Sequence, residues 1–177
     1  MIPETIEHIP YDYPDQVVKF ENLASYETVF KAIKKYLPQG SSVLDIGSGR
    51  GEMMKMLAEA GYEVCGCDMD DECIRVSSRY GNVVKIDVNS ISSASCDRKF
   101  DCVLVSHVLE HLDNPRESLL RMAALSNGLI VASVPNPYYL LFVVKTMLGA
   151  KPAYMNMGHL QVWTGRISKL SLKLAAT

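Results

Sequence analysis

The sequence predicts a three-layer α/β fold in which a mostly parallel sheet carries helices on both faces. From Ser41 onward, short runs of apolar β-formers alternate with segments of helical periodicity, an order that is typical of parallel sheets. The first of these strands runs directly into a glycine-rich turn and then a helix, over residues 43–57. With 177 residues, the chain is long enough for one domain with a real core.

Residues 41–135 form the predicted core of this single domain, and residues 1–40 precede it as a helical cap. Helices are expected within residues 15–37, where apolar side chains recur at helical spacing until Pro38. Tyr11, Tyr13 and Tyr26 suit either a roof over a pocket or ordinary packing. In the core we expect strands at 42–46, 63–67, 82–86, 100–106 and 128–134, and helices at 52–60, 71–80 and 116–125.

Composition narrows the class of protein. The chain is 48% hydrophobic and 21% charged, with a net charge of −2, and no apolar run reaches membrane-spanning length. The residues from 118 onward contain no Asp or Glu, but their basic side chains are sparse, so we expect an ordinary solvated surface and no nucleic-acid partner. Five cysteines without a C-x-x-C pair indicate reduced thiols, and the absence of a signal segment predicts a cytoplasmic protein.

The turn after the first strand is built for a ligand. Gly47, Gly49 and Gly51 flank Ser48 where the backbone must turn sharply, and the helix that follows directs free N–H groups at whatever binds there. The spacing is G-x-G-x-G, which differs from the G-x-G-x-x-G fingerprint of dinucleotide sites. Asp45 precedes the turn, where a carboxylate suits an ammonium group better than a phosphate.

A second acid, Asp68, ends the second strand, where a carboxylate accepts hydrogen bonds from a ribose diol. Together with Asp45 and the glycines, this pattern resembles the class I S-adenosylmethionine-dependent methyltransferases, which have a Rossmann-like core. The resemblance implies that the cofactor is S-adenosyl-L-methionine. It also implies that Asp87 and Val88 hold the adenine, and that Met69 packs on the adenine or the ribose unless it is filler.

A second motif follows the fourth strand. Residues 100–115 contain Ser106 at the strand end and then His107-Val108-Leu109-Glu110-His111-Leu112, which resembles the H-x-x-E-H-L segment of small-molecule class I methyltransferases. The resemblance implies in-line transfer of a methyl group to an O, N or C nucleophile of a small-molecule acceptor. We place Ser106 and His107 near the cofactor, and Glu110 or His111 near the acceptor. Either histidine could remove the acceptor proton, or one could merely shape the loop.

A divalent metal is an alternative at the same motif. Some quinone and small-RNA methyltransferases bind one through E-x-x-E-H and a later histidine, which corresponds here to His107, Glu110, His111 and His159. Because His107 replaces the first glutamate, the preference for a hard cation is weakened, and we predict no metal. A nicotinamide-dependent oxidoreductase is a further alternative, disfavoured by the glycine spacing.

Residues 136–177 are expected to supply substrate-side helices and a tail. Residues 138–148 form a nearly all-apolar helix that could line an acceptor pocket, fill the core or join two subunits of a homodimer. The tail from Thr164 places Ile167, Leu170 and Leu174 on one helical face. The sequence therefore predicts that the C-terminal strand hairpin of the family is absent. A cofactor-binding module that catalyses nothing alone is accordingly the rival function.

Overall fold

The structure is a computed structural model, which describes the backbone of residues 18–134 and 170–173 and the side chains of residues 26–134. It contains one six-stranded sheet with helices on both faces, as predicted. Predictions for residues 1–17, 135–169 and 174–177, including Tyr11, Tyr13, His159 and the helix at 138–148, lie outside the described residues. The helices are α1 (Val18–Tyr36), α2 (Glu52–Glu59), α3 (Asp71–Ser77) and α4 (Pro115–Ala123); the strands are β1 (Ser42–Ile46), β2 (Glu63–Asp68), β3 (Asn82–Lys85), β4 (Phe100–Ser106), β5 (Ser126–Ser133) and β6 (Leu170–Lys173).

The strand order places β1 at the centre of the molecule. The sheet runs β3-β2-β1-β4-β5-β6, and the first five strands in this order are parallel to one another. Strand β1 therefore pairs with β2 on one side and with β4 on the other, so the order reverses at its carboxyl end. In open α/β sheets, ligands bind in the crevice outside such a reversal.

Alternating side chains of the central strands build two cores, one on each face of the sheet. On one face, Leu44 and Val103 join a buried cluster that includes Met122 of α4. On the other, Val43 and Leu104 join a cluster with Ile33 of α1 and other residues of α1 and α2. Period-two alternation in strands thus supplies apolar contacts to both helical layers, which explains why near-continuous apolar runs form these parallel strands.

The predicted tail helix is wrong at residues 170–173. Leu170–Lys173 forms β6, which pairs antiparallel with β5 and places Leu172 opposite Ile130. The segment L-S-L-K alternates apolar and polar residues, so its apolar positions fit a strand as well as a helical stripe. The open edge of β5 decides between them, because backbone groups there need partners. One antiparallel strand therefore follows the parallel strands, at residues where the sequence predicts a helix.

All five cysteines lie within the described residues, and none of them forms a disulfide. Cys67 and Cys102 are buried, whereas the other three are partly exposed. Burial raises the pKa of the Cys67 and Cys102 thiols to about 12, which leaves them protonated and unreactive at neutral pH. Among the helices that the structure describes, none is both long enough and apolar enough to cross a bilayer.

Candidate functional site at the carboxyl ends of β1, β2 and β4

The glycine turn after β1 is held against the end of β2. The N–H groups of Gly47 and Ser48 both donate to the carbonyl of Cys67, at 2.9 and 3.0 Å. Gly47 has φ +72°, and a Cβ atom there would lie 2.4 Å from Cγ2 of Val108, so a side chain is excluded both by conformation and by space. At Gly49 (φ +52°) a Cβ would meet nothing within 4 Å. The turn is thus closed toward Val108 and open at Gly49.

Helix α2 begins at the end of this turn. Gly51 is its N-cap, with φ +85° and no side-chain hydrogen bond to the first turn of the helix. Among the described residues, the N–H groups of that turn therefore have no capping side chain and remain available to a ligand. A Cβ on Gly51 would lie 2.9 Å from the Cα of Ser77, so close packing against α3 also requires glycine there.

Asp68, at the end of β2, accepts hydrogen bonds from the glycine turn and from the loop that follows β2. Its Oδ2 accepts a hydrogen bond from the N–H of Gly49 at 2.8 Å. Its Oδ1 accepts from the N–H groups of Met69 at 2.8 Å and Asp70 at 3.0 Å. A carboxylate has about four accepting positions, so three backbone donors leave room for one more. The sequence predicted a ligand role for Asp68 but gave no signal of this bracing of the glycine turn.

A cavity of about 50 Å³ lies at the ends of β1 and β4, beside the glycine turn. Asp45 reaches it from β1 and is only 3% exposed. The buried hydroxyl of Ser48 lines the cavity and has no hydrogen-bond partner among the described residues. A buried polar atom without a partner favours a ligand that supplies one. The full lining is Tyr26, Asp45, Gly47, Ser48, Gly49, Glu52, Met53 and Ser106.

This cavity is strongly acidic. Burial, reinforced by the nearby charges of Asp68 and Glu52, raises the pKa of Asp45 to about 7. Burial together with Glu52 and Asp45 raises the pKa of Tyr26 to about 12. The described residues that line the cavity include no Lys or Arg. Its electrostatics therefore favour a cation and disfavour a phosphate.

The end of β4 carries the second predicted motif. The Ser106 hydroxyl, which lines the cavity, lies 2.8 Å from the Ser133 hydroxyl at the end of β5. The next residue, His107, has φ +56°, a conformation that a non-glycine residue rarely adopts. Its N–H donates to the Ser133 carbonyl at 3.0 Å, which anchors this strained backbone to β5. Such strain is concentrated at functional sites.

Glu110 lies in a short 3-10 turn, Leu109–His111, that follows β4. Its side chain is 1% exposed, and neither carboxylate oxygen has a hydrogen-bond partner among the described residues. Its Oε1 lies 3.5 Å from Nδ1 of His107, a side chain that is 28% exposed. The sequence predicts Glu110 near the acceptor but does not predict this burial, because the spacing of residues 107–112 does not show which way the Glu110 side chain faces.

The structure brings together some of the predicted residues and separates others. The residues that share the cavity are Asp45, Gly47, Ser48, Gly49 and Ser106. The adenine-binding set does not line the cavity. Asp87 is exposed and accepts from the N–H of Asn89 at 2.9 Å, Val88 is 9% exposed within a core cluster, and Met69 is 47% exposed.

Within residues 26–134, no three His, Cys, Asp or Glu side chains are grouped so that they could hold a metal ion. The alternative metal site combined His107, Glu110 and His111 with His159, which lies outside the described residues. Tyr26, which the sequence suits either to a roof over a pocket or to ordinary packing, lines the cavity.

Comparison with known proteins identifies the family. A family model described as "Methyltransferase domain" matches residues 4–170, nearly the whole chain. The chain belongs to this methyltransferase domain family. The resemblance seen in the sequence motifs is therefore confirmed.

Two curated relatives illustrate the range of this methyltransferase domain family. The chain is 28% identical over 163 residues to a ubiquinone biosynthesis O-methyltransferase of Shewanella halifaxensis, covering 78% of this chain and 69% of that protein. It is 30% identical over 118 residues to a 23S rRNA (uracil(747)-C(5))-methyltransferase of Pyrococcus abyssi, covering 67% of this chain. The matched region spans only 28% of the length of the Pyrococcus protein.

Among solved structures, the fold is similar to magnesium protoporphyrin IX methyltransferase of Synechocystis PCC 6803, a structure with bound SAH. The TM-score is 0.59 at 22% sequence identity, over 80% of this chain and 69% of that one. This similarity confirms the predicted fold, a Rossmann-like parallel sheet with flanking helices.

Proposed function

We propose that the chain is an S-adenosyl-L-methionine-dependent methyltransferase that transfers a methyl group to an O, N or C nucleophile of a small-molecule acceptor. The observation that carries this proposal is the acidic cavity against the glycine turn, at the point where the strand order reverses. Membership in the methyltransferase domain family and the bound SAH of the Synechocystis protein support it.

The residues present fit this cofactor. Its α-ammonium suits the carboxylates of Asp45 and Glu52. The Ser48 hydroxyl, which has no hydrogen-bond partner within the described part of the chain, suits a polar atom of its amino-acid part. The uncapped start of α2 can hold its α-carboxylate. Asp68, with an accepting position left, would hold the ribose diol. Asp87, Val88 and Met69 remain the predicted adenine contacts.

When bound, the cofactor supplies a sulfonium whose methyl carbon is open to in-line attack. The task of the chain is to align the acceptor with that carbon, exclude water and accept the acceptor proton. His107 follows Ser106 at the edge of the cavity, so its imidazole is our candidate for the proton acceptor. His111, which is half-buried in the adjoining turn, is placed on the acceptor side.

Calorimetry tests the cofactor assignment directly. We expect S-adenosylhomocysteine to bind and NAD not to bind, because a pyrophosphate would meet Asp45 and Glu52 in a cavity whose lining has no basic side chain. A matched control is Asp71→Asn, which removes an exposed carboxylate paired with Lys85 and should leave the affinity unchanged. Binding of NAD in place of S-adenosylhomocysteine would refute the proposal.

The acceptor class follows from charge. Residues 26–134 contain 15 Asp or Glu and 12 Lys or Arg, without the basic excess that nucleic-acid binding requires, although one relative is named for an rRNA base. We therefore expect release of S-adenosylhomocysteine with quinol, phenol or amine acceptors and none with single-stranded RNA. RNA turnover at rates above those of every small acceptor would reverse this assignment.

A second candidate is a cofactor-binding module that needs a partner for catalysis. The match covers 28% of the Pyrococcus relative, so most of that protein lies outside the region shared with this chain. Tight binding of S-adenosylhomocysteine with no turnover over the acceptor panel would select it. A homodimer through residues 138–148 would make the partner a second copy, and sedimentation measures that.

The same assays test two remaining expectations. Turnover that is unchanged after chelation with EDTA would support a reaction without a metal, whereas loss that Mg²⁺ restores would establish one. Five thiols outside disulfides suit a reducing, cytoplasmic compartment, which fractionation of the source cells would check.

A further inference from the structure

Two carboxylates at the cavity beside the glycine turn have no basic partner in the part of the chain that the structure describes. Asp45 and Glu52 both line the cavity, and the ion pairs within residues 26–134 include neither of them. The base nearest in sequence, Arg50, is exposed and does not line the cavity. Other acids of α2 and α3 do have basic partners: Glu59 with Lys55, Asp71 with Lys85, and Glu72 with Arg75.

Glu52 is the member of this pair that the sequence does not single out. It is the first residue of α2, directly after the N-cap Gly51, and its side chain reaches the cavity from there. It is exposed, whereas Asp45 is only 3% exposed. Its charge still acts on the buried acid, because Glu52 adds to burial and to Asp68 in raising the pKa of Asp45. One exposed and one buried acid therefore act on the same small volume.

A buried hydroxyl in the same lining indicates that this volume takes a polar ligand. The side chain of Ser48 belongs to a residue that is 7% exposed, and its oxygen has no hydrogen-bond partner within residues 26–134. Buried hydroxyls in folded proteins are ordinarily hydrogen-bonded, so a ligand is expected to complete this one. A ligand that satisfies the hydroxyl and the two acids is both polar and positively charged.

We propose that Glu52 is a specificity-determining residue that makes the cavity prefer S-adenosylmethionine, which carries a sulfonium, over its uncharged-sulfur product S-adenosylhomocysteine. This inference rests on the proposed methyltransferase function. The two ligands share their adenosine and amino-acid parts, and they differ only in the methyl group and the positive charge on sulfur. Because no base lines the cavity, its acids stabilise the ligand with the additional positive charge.

The reaction itself removes the charge that is recognised. An electron pair of the acceptor atom forms a bond to the methyl carbon, and the carbon–sulfur bond breaks with its electron pair going to sulfur. Sulfur is left as a neutral thioether, and the positive charge passes to the acceptor, where release of a proton removes it. The attraction by Asp45 and Glu52 at sulfur is then lost, so the cavity binds the reactant more tightly than the product.

Calorimetry on the full chain tests this preference. The ratio of the dissociation constants of S-adenosylhomocysteine and S-adenosylmethionine cancels the contacts that both ligands make. At low salt we expect S-adenosylmethionine to bind roughly 5-fold more tightly, as partly solvated charges a few ångströms away predict. Equal affinities, or tighter binding of S-adenosylhomocysteine, would overturn this inference and leave the proposed function standing. Failure of both ligands to bind would refute the proposed function and this inference with it.

Glu52→Gln tests the residue, since it removes the charge and keeps the shape. We expect the ratio to fall about 3-fold, because one of the two lining carboxylates is lost. Glu59→Gln is the matched control on the same helix, where the exposed carboxylate pairs with Lys55 at 3.9 Å, and the ratio should stay unchanged. An unchanged ratio in Glu52→Gln, or an equal fall in Glu59→Gln, contradicts the assignment.

Salt tests the same role without any substitution. Screening acts strongly on exposed charges and weakly on buried ones, with a Debye length of about 10 Å at 0.1 M and about 3 Å at 1 M salt. As NaCl rises, we expect the ratio of the unmodified chain to fall toward that of Glu52→Gln, since Glu52 is exposed. A ratio that does not respond to salt in the unmodified chain would speak against Glu52.

A charged analogue separates the effect of charge from that of the methyl group. The probe is an S-adenosylmethionine analogue in which a carbon bearing a protonated amine replaces the methylated sulfur. We expect its affinity to fall with Glu52→Gln and with salt, as for S-adenosylmethionine. If it instead follows S-adenosylhomocysteine in both measurements, the methyl group and not the charge is recognised, and the proposal is wrong.

Discussion

Two buried carboxylates flank the site, and they differ in their partners. Asp45, at β1, is 3% exposed and lies among Glu52, Asp68 and Tyr26 in a cavity whose described lining carries no basic side chain. Glu110, after β4, is 1% exposed and lies beside the imidazole of His107. Asp45 therefore depends on a bound cation for neutralisation, whereas Glu110 already lies next to an imidazole of the same chain.

The difference separates binding from chemistry. A buried acid without a cation raises the free energy of the empty site, and a cationic ligand relieves that cost on binding. A buried acid beside an imidazole instead has a group of its own chain that can become positively charged. We infer that the β1 end selects the cofactor and the β4 end handles the acceptor proton. The following changes test this division, from the largest expected effect to the smallest.

Asp45→Asn, which removes the buried carboxylate of β1, should have the largest effect on stability. Burial raises the folded pKa to about 7 from an ordinary value of 3.8, so the folded chain binds more protons than the unfolded one between those values. Stability is therefore greatest below about pH 4 and declines up to pH 7. By this shift the variant should gain up to about 4 kcal/mol at pH 8. Urea unfolding at several pH values measures both slopes.

The same variant should bind S-adenosylhomocysteine roughly 10- to 100-fold more weakly, because a charged hydrogen bond contributes about 1.5–3 kcal/mol. Asp71→Asn, on the exposed surface of α3, serves as the control for both measurements. A pH-independent stability of the unmodified chain between pH 4 and 7 would show that Asp45 is not held as the structure indicates.

Gly47→Ala should disturb the contact between the glycine turn after β1 and Val108, which follows β4. The new Cβ would lie 2.4 Å from Cγ2 of Val108, in a backbone with φ +72°. Conformational strain and overpacking together predict a loss of roughly 3 kcal/mol in unfolding free energy. Gly49→Ala is the matched control, since its Cβ meets nothing within 4 Å and only the strain of φ +52° remains. Equal destabilisation of both variants would disprove the clash.

Asp68→Ala should weaken S-adenosylhomocysteine binding by roughly 1–3 kcal/mol, through loss of charge-assisted hydrogen bonds. The structure adds a loss of stability, because three backbone N–H groups lose their acceptor. Asp68→Asn keeps an acceptor oxygen and should recover part of that stability but less of the affinity. An unaltered affinity in Asp68→Ala would refute the ribose assignment.

Met69→Ala should have the smallest effect. The side chain is 47% exposed, so its removal should change the unfolding free energy by less than about 0.5 kcal/mol. If it packs on the adenine or the ribose, calorimetry should show a modest loss of affinity for S-adenosylhomocysteine. Loss of stability without loss of affinity would assign it to packing.

Much of the fold and of the candidate site could be predicted from the sequence, because glycine spacing and strand-end acids are local signals. Strands β1 and β4 fall at the predicted residues, and Asp45 meets Ser106 since parallel strands end at one edge. The burial of Glu110 could not be predicted from the sequence, because it depends on how the 3-10 turn folds back on the sheet. Strand β6 was missed because four residues of L-S-L-K fit two periodicities, and only the neighbouring edge of β5 chooses between them.

Strand β6 also has an evolutionary consequence. Ala132 of β5 lies opposite Leu170, so the chain leaves the sheet after Ser133 and returns to almost the same place after 36 intervening residues. Because the pairing of β5 with β6 fixes only the two ends of that stretch, the sheet does not set its length. Descendants can therefore lengthen, shorten or replace this one stretch while the cofactor-binding half stays as it is.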